Sequence, residues 1–210
     1  MRSRLNIVAT IVGEAVVPII CTVVLGTIFY GLTLFQPRFS GFQIVVGAAI
    51  SSVFFLTLRV SRRDAFAVLL VLYVIQMGLI LRPRTLFSLG ASSLFIVAYA
   101  SSLYIFYQAF YLKTVALRYL HPLVLAAIYA IFSLLVSTIL ILAGKTYQSV
   151  EPARLLLGVE ANALNSFVIG LGTGLGIFLL DNGIIKKVRT TWNTAWVALK
   201  GAFQQFERNL

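Results

Sequence analysis

The chain is a succession of long apolar runs separated by short polar breaks. Six runs stand out: Leu5–Phe35, Gly41–Leu58, Ala65–Leu81, Leu86–Leu112, Pro122–Ala143 and Gly158–Leu180. A helix that crosses a hydrocarbon layer about 30 Å thick needs roughly 20 mostly apolar residues, and the second and third runs sit at the lower limit of that range. None of the runs alternates in the manner of a barrel strand, so their backbone groups must be satisfied within helices. The pattern predicts an all-α integral membrane protein, with residues 1–183 forming a bundle of six transmembrane helices. The breaks carry turn chemistry. They are Gln36-Pro37-Arg38 through Gly41, Ser61-Arg62-Arg63-Asp64, Arg82-Pro83-Arg84, Lys113 to Pro122, Gly144 to Pro152, and Asp181-Asn182-Gly183. Pro152 suits a first helical turn and predicts a short helix after the longest polar connection.

The periodicity changes after Gly183. Ile185, Val188, Trp192, Trp196, Leu199, Phe203, Phe206 and Leu210 recur at spacings of three and four, with Lys186, Arg189, Asn193, Lys200, Gln204 and Arg208 largely between them. Residues 184–210 therefore read as a basic amphipathic helix. Lys186, Lys187, Arg189, Trp192, Trp196 and Lys200 are the residues expected at the cytoplasmic membrane surface, where tryptophans and a basic face are favoured. A heptad through Ile185, Val188, Trp192, Ala195, Leu199, Ala202 and Phe206 fits nearly as well and implies a partner helix.

Composition supports the bilayer as solvent. Of 210 residues, 60% are hydrophobic and 11% charged, whereas soluble domains are about a quarter charged. The net charge of +11 invites a nucleic-acid reading, but threading accounts for it better. With a cytoplasmic N-terminus, that side holds Arg2, Arg4, Arg59, Arg62, Arg63, Lys113, Arg118, Lys186, Lys187, Arg189, Lys200 and Arg208. The other side holds Arg38, Arg82, Arg84, Lys145 and Arg154. Both termini are thus expected inside. The first apolar run is too long for a signal peptide and reads as a retained helix. The single cysteine, Cys21, excludes an intrachain disulfide and a Cys-rich metal site. The single histidine, His121, excludes haem held by two histidines of one chain and a His-rich zinc site.

Candidate chemistry is sparse. Glu14 is the one ionisable side chain well inside an apolar run, and Pro18, four residues on, removes the hydrogen bond that the Glu14 carbonyl would accept. Counted from Leu5 at 1.5 Å per residue, Glu14 lies about 14 Å deep, where a carboxylate must be neutral, paired or wetted. Gln76, Tyr104 and Gln108 are its expected partners, and no lysine or arginine is expected deep enough to reach it. The fourth run carries Gly90, Ser93, Ser101, Tyr104, Gln108 and Tyr111 on roughly one face, which suits either a polar path or interhelical hydrogen bonds. Gly170, Gly172, Gly174 and Gly176 form two interleaved small-residue pairs, a pattern that lets helix backbones approach closely. Asp181 is expected to pair with Lys186 or Lys187.

No nucleophile elbow, His/Cys pair or second membrane carboxylate accompanies Glu14, so no enzyme and no cofactor are expected. Two functions remain. One is a non-catalytic membrane subunit of a larger assembly, bound to lipid and to a protein partner or its own copies. The other is a small transporter or channel with Glu14 and Pro18 at a broken first helix.

Overall fold

The computed structural model describes residues 2–33, 41–75, 86–113, 115–145, 152–185, 187 and 190. Among the described residues every regular element is helical: α1 (Arg2–Thr33), α2 (Gly41–Val60), α3 (Arg62–Ile75), α4 (Leu86–Phe106), α5 (His121–Lys145) and α6 (Pro152–Asp181). A π-helical turn, Tyr107–Tyr111, extends α4, and a 3-10 helix, Val115–Leu120, leads into α5. Four stretches are long and apolar enough to cross a membrane, namely Ile7–Phe29, Ser93–Tyr111, Arg118–Leu142 and Asn162–Asp181. They mark the protein as membrane-embedded. α2 contributes a shorter apolar stretch, Ile44–Val60, and α3 has 14 residues. Pro152 does not begin a separate short helix. It opens α6, a single helix of 30 residues.

In lipid the hydrophobic effect does not press helices together, so they must gain by close packing. α6 does this on two sides. A Cβ on Gly172 would overlap the backbone and side chain of Thr22, and one on Gly176 would overlap the backbone of Pro18, both in α1. A Cβ on Gly170 would stand 2.8 Å from the Ala126 Cα, and one on Gly174 2.6 Å from the Pro122 Cα, both in α5. Positions two apart on a helix are about 200° apart around its axis. The alternating glycines thus serve opposite neighbours, and α6 is clasped between α1 and α5. The order of contacts makes α1 and α6 antiparallel, with Pro18 level with Gly176.

The remaining helices close the bundle around Phe54, Phe55, Leu103, Phe106, Leu125, Tyr129 and Ile169, all buried. Several buried hydroxyls are satisfied, in two ways. Thr22, Ser52, Thr57 and Ser102 each donate to the carbonyl four residues back, at 2.6–2.8 Å. Tyr129 of α5 donates to Ser51 of α2 at 2.7 Å. Ser166 donates to the Asn162 carbonyl, so Tyr99 of α4 is the donor in its 2.7 Å bond to Ser166 of α6. The Tyr99 and Tyr129 rings stack with centroids 5.0 Å apart. The outer surface is apolar, with Val16, Ile20, Val24, Leu135, Ile139 and Leu142 all exposed. That arrangement suits a lipid solvent.

Gly172→Leu or Gly176→Leu should wedge α1 away from α6. Overpacking of this kind costs about 1–3 kcal/mol or more, and a clear fall in melting temperature in detergent is expected. Gly13→Ala meets nothing within 4 Å and should leave the melting temperature essentially unchanged.

Candidate functional site

Threading brings the ends of α2, α4 and α6 and the approach to α5 together at one end of the bundle. Here Arg59, in the last turn of α2, meets Asp181, the last residue of α6, with N–O 3.0 Å. The Asp181 side chain is 8% exposed and that of Arg59 34%. The π-helical turn carries Tyr111 into the same place. Its ring lies 5.7 Å from the Arg59 guanidinium carbon and packs edge-on to Phe55 with centroids 5.1 Å apart. Tyr107 stacks on Tyr111 at 5.5 Å, which the wider turn permits. π-turns of this kind often mark functional positions.

These groups surround a cavity of about 280 Å³ lined by Glu14, Arg59, Tyr111, Arg118, Leu180 and Asp181. Because Pro18 is level with Gly176, one turn further places Glu14 level with Leu180, at the end of α6. Glu14 is half-buried. Asp181 engages Arg59, which leaves Glu14 and Arg118 as the carboxylate and the guanidinium without an ion-pair partner among the described residues. The Arg118 Nε is buried and has no hydrogen-bond partner among the described residues, an arrangement that costs about 1–3 kcal/mol unless a further group completes it.

The expected surroundings of Glu14 are therefore corrected. Two arginines lie on the wall it shares, although none was expected within reach. Tyr104 and Gln108 do not line this cavity. Tyr104 packs against Phe66 with centroids 6.1 Å apart, and Gln108 accepts a 3.4 Å hydrogen bond from Arg62 while its Nε2 is buried without a partner. Pro18 is buried against Gly176 and is a packing residue rather than a cavity group. Gln76 lies outside the described residues. Asp181 meets Arg59, a partner that was not expected, and Lys186 lies outside the described residues.

On the polar face of the fourth run, Ser93 shares a 2.9 Å hydrogen bond with Tyr73, while Tyr111 lines the cavity. His121 is buried against the rings of Phe106 and Tyr111, with centroids at 5.4 and 5.9 Å. Of the C-terminal surface residues, Lys187 is exposed, and Lys186, Arg189, Trp192, Trp196 and Lys200 lie outside what can be described. α6 ends in a turn at Gly183, whose φ of +63° favours glycine.

Reasoning from the sequence missed Arg59, Tyr111, Arg118 and Asp181 as a set. The signal was present in the charge distribution, because back-and-forth threading gathers the ends of the second, fourth and sixth runs at one face. Among the described residues no group of three or more His, Cys, Asp or Glu side chains is placed to hold a metal. No family model, curated protein or solved structure matches the chain.

Arg59→Ala should strand the Asp181 carboxylate. Breaking a fully buried pair costs about 3–5 kcal/mol, and the partial exposure of Arg59 reduces this to roughly 1–3 kcal/mol. Thermal unfolding should show that loss, and the double variant R59A/D181N should recover part of it.

Proposed function

We propose that the protein is a non-catalytic, membrane-embedded subunit of a larger assembly, formed with further copies of itself or with a cytosolic or membrane partner. In this reading the chain crosses the bilayer six times, both termini are cytoplasmic, and residues 184–210 form a basic helix at the inner surface.

The observation that carries the proposal is the overhang of α1. From Ile7 on, the first buried residue of α1 is Ala15, and Glu14 is level with the end of α6. Residues 2–13 therefore continue beyond that end for about 18 Å at 1.5 Å per residue. The overhang is apolar, with Ile7, Val8 and Val12 exposed at 42%, 58% and 57%.

The stretch Asn162–Asp181 is about 30 Å long, the thickness of the hydrocarbon layer. Setting that stretch across the layer puts Arg59, Arg118 and Asp181 at its boundary, and the α1 overhang then leaves the lipid core. The opposite choice, with the overhang in lipid, would draw the charged cluster deep into hydrocarbon at substantial cost. An exposed apolar helix outside the core calls for a covering protein surface.

Glu14 accordingly sits at an end of the bundle. At the level of Ser51 and Ser166 the interior is filled by Tyr99 and Tyr129, which favours a scaffold over a conduit.

The test is the mass of the particle extracted from native membranes into nanodiscs. A defined oligomer or a stoichiometric partner is expected, and the triple variant I7S/V8S/V12S should release it while the melting temperature of the bundle holds. A lone monomer from native membranes would overturn the proposal.

A further inference from the structure

We infer that the cavity at the charged end of the bundle binds the phosphoethanolamine headgroup of a membrane lipid, with the phosphate on Arg118 and the free donors of Arg59 and the ammonium on Glu14. This site does not depend on the assembly proposed above.

Three observations carry it. First, the wall holds one guanidinium and one carboxylate that are unmatched among the described residues, while Arg59 and Asp181 neutralise each other. A ligand that completes both must carry an anion and a cation. The buried Arg118 Nε in particular lacks an acceptor, and a phosphate oxygen is the acceptor to which a guanidinium fork is best matched. Second, the volume of about 280 Å³ corresponds to roughly nine waters at about 30 Å³ each. That admits a phosphate with a short amino-alcohol arm. Third, the cavity opens beside apolar surface. Leu180 lines it and gives it an apolar edge, against which the start of an acyl chain can lie.

A primary ammonium donates hydrogen bonds to Glu14. The quaternary ammonium of a choline lipid has no N–H to donate, and a glycerol headgroup has no cation.

The test uses the full chain in detergent, with native mass spectrometry reading the retention of phosphatidylethanolamine, phosphatidylcholine and phosphatidylglycerol of identical acyl chains. The ethanolamine lipid should bind roughly tenfold more tightly than the other two, the effect of one charge-assisted hydrogen bond. Glu14→Gln should abolish that preference and leave phosphatidylglycerol binding unchanged. Arg118→Gln should weaken all three lipids. If Arg118→Gln fails to fold, the near-isosteric Glu14→Gln at its half-buried site decides alone.

Equal retention of the three lipids, or a preference that survives Glu14→Gln, would overturn the assignment. So would binding of water-soluble glycerophosphoethanolamine as tight as that of the lipid, which would make the ligand a free phosphate ester. None of these readouts is affected by whether the particle contains a partner.

Discussion

The structure depends on the approach of three helix backbones to near contact. α6 lacks side chains at four alternating positions, and the spaces are filled by Thr22 and Pro18 of α1 on one side and by Ala126 and Pro122 of α5 on the other. In a solvent as apolar as the side chains themselves, such contact supplies the dispersion and shape-matching that burial supplies in water. Backbone contact is also unforgiving of sliding. The fit of Pro18 to Gly176 and Thr22 to Gly172 sets the longitudinal register of α1, and that register decides what Glu14 faces. The charged cavity is therefore a consequence of packing more than one turn away from it.

The same solvent explains where polar groups sit. Most of the hydroxyls within the helices donate back to their own helix or bridge to a neighbour, and a typical interhelical hydrogen bond contributes about 0.6 kcal/mol. Together they tie α2 to α5 and α4 to α6 through Ser51–Tyr129 and Tyr99–Ser166. Charge is kept to the ends. The Arg59–Asp181 pair joins helices far apart in sequence, and the Tyr111 ring lies beside the Arg59 guanidinium. The unmatched groups, Glu14 and Arg118, lie on the same wall, where water or a ligand can reach them.

Much of the fold was legible in the sequence. Each of α1 to α6 overlaps one of the six apolar runs, and four stretches are long and apolar enough to cross a membrane. The glycine pattern announced close packing, although nothing in its spacing said which helix would meet which face. The site was less legible. The depth of Glu14 was counted from Leu5 on the assumption that the apolar run begins where the membrane does. The packing places Glu14 level with the end of α6, with about three turns of α1 beyond it, and the run alone does not reveal that. Arg59, Arg118 and Asp181 each looked like an ordinary boundary residue. Their convergence is a property of threading and packing, and no local spacing encodes it. The π-helical turn that delivers Tyr111 has no signature in the residues YQAFY.

The pairing of α1 with α6 has a consequence for how the molecule is made. α1 is made before α2 to α5 and packs on α6, so it must wait in the membrane, without its glycine-rich mate, until the helices between them have been translated. Thr22 is suited to that interval, since its hydroxyl is occupied by the Pro18 carbonyl of its own helix and exposes no unmet donor to lipid. Premature termination anywhere before Gly170 would strand α1 and α5 without their shared neighbour. Quality-control machinery would then meet loose membrane segments rather than a smaller version of the fold.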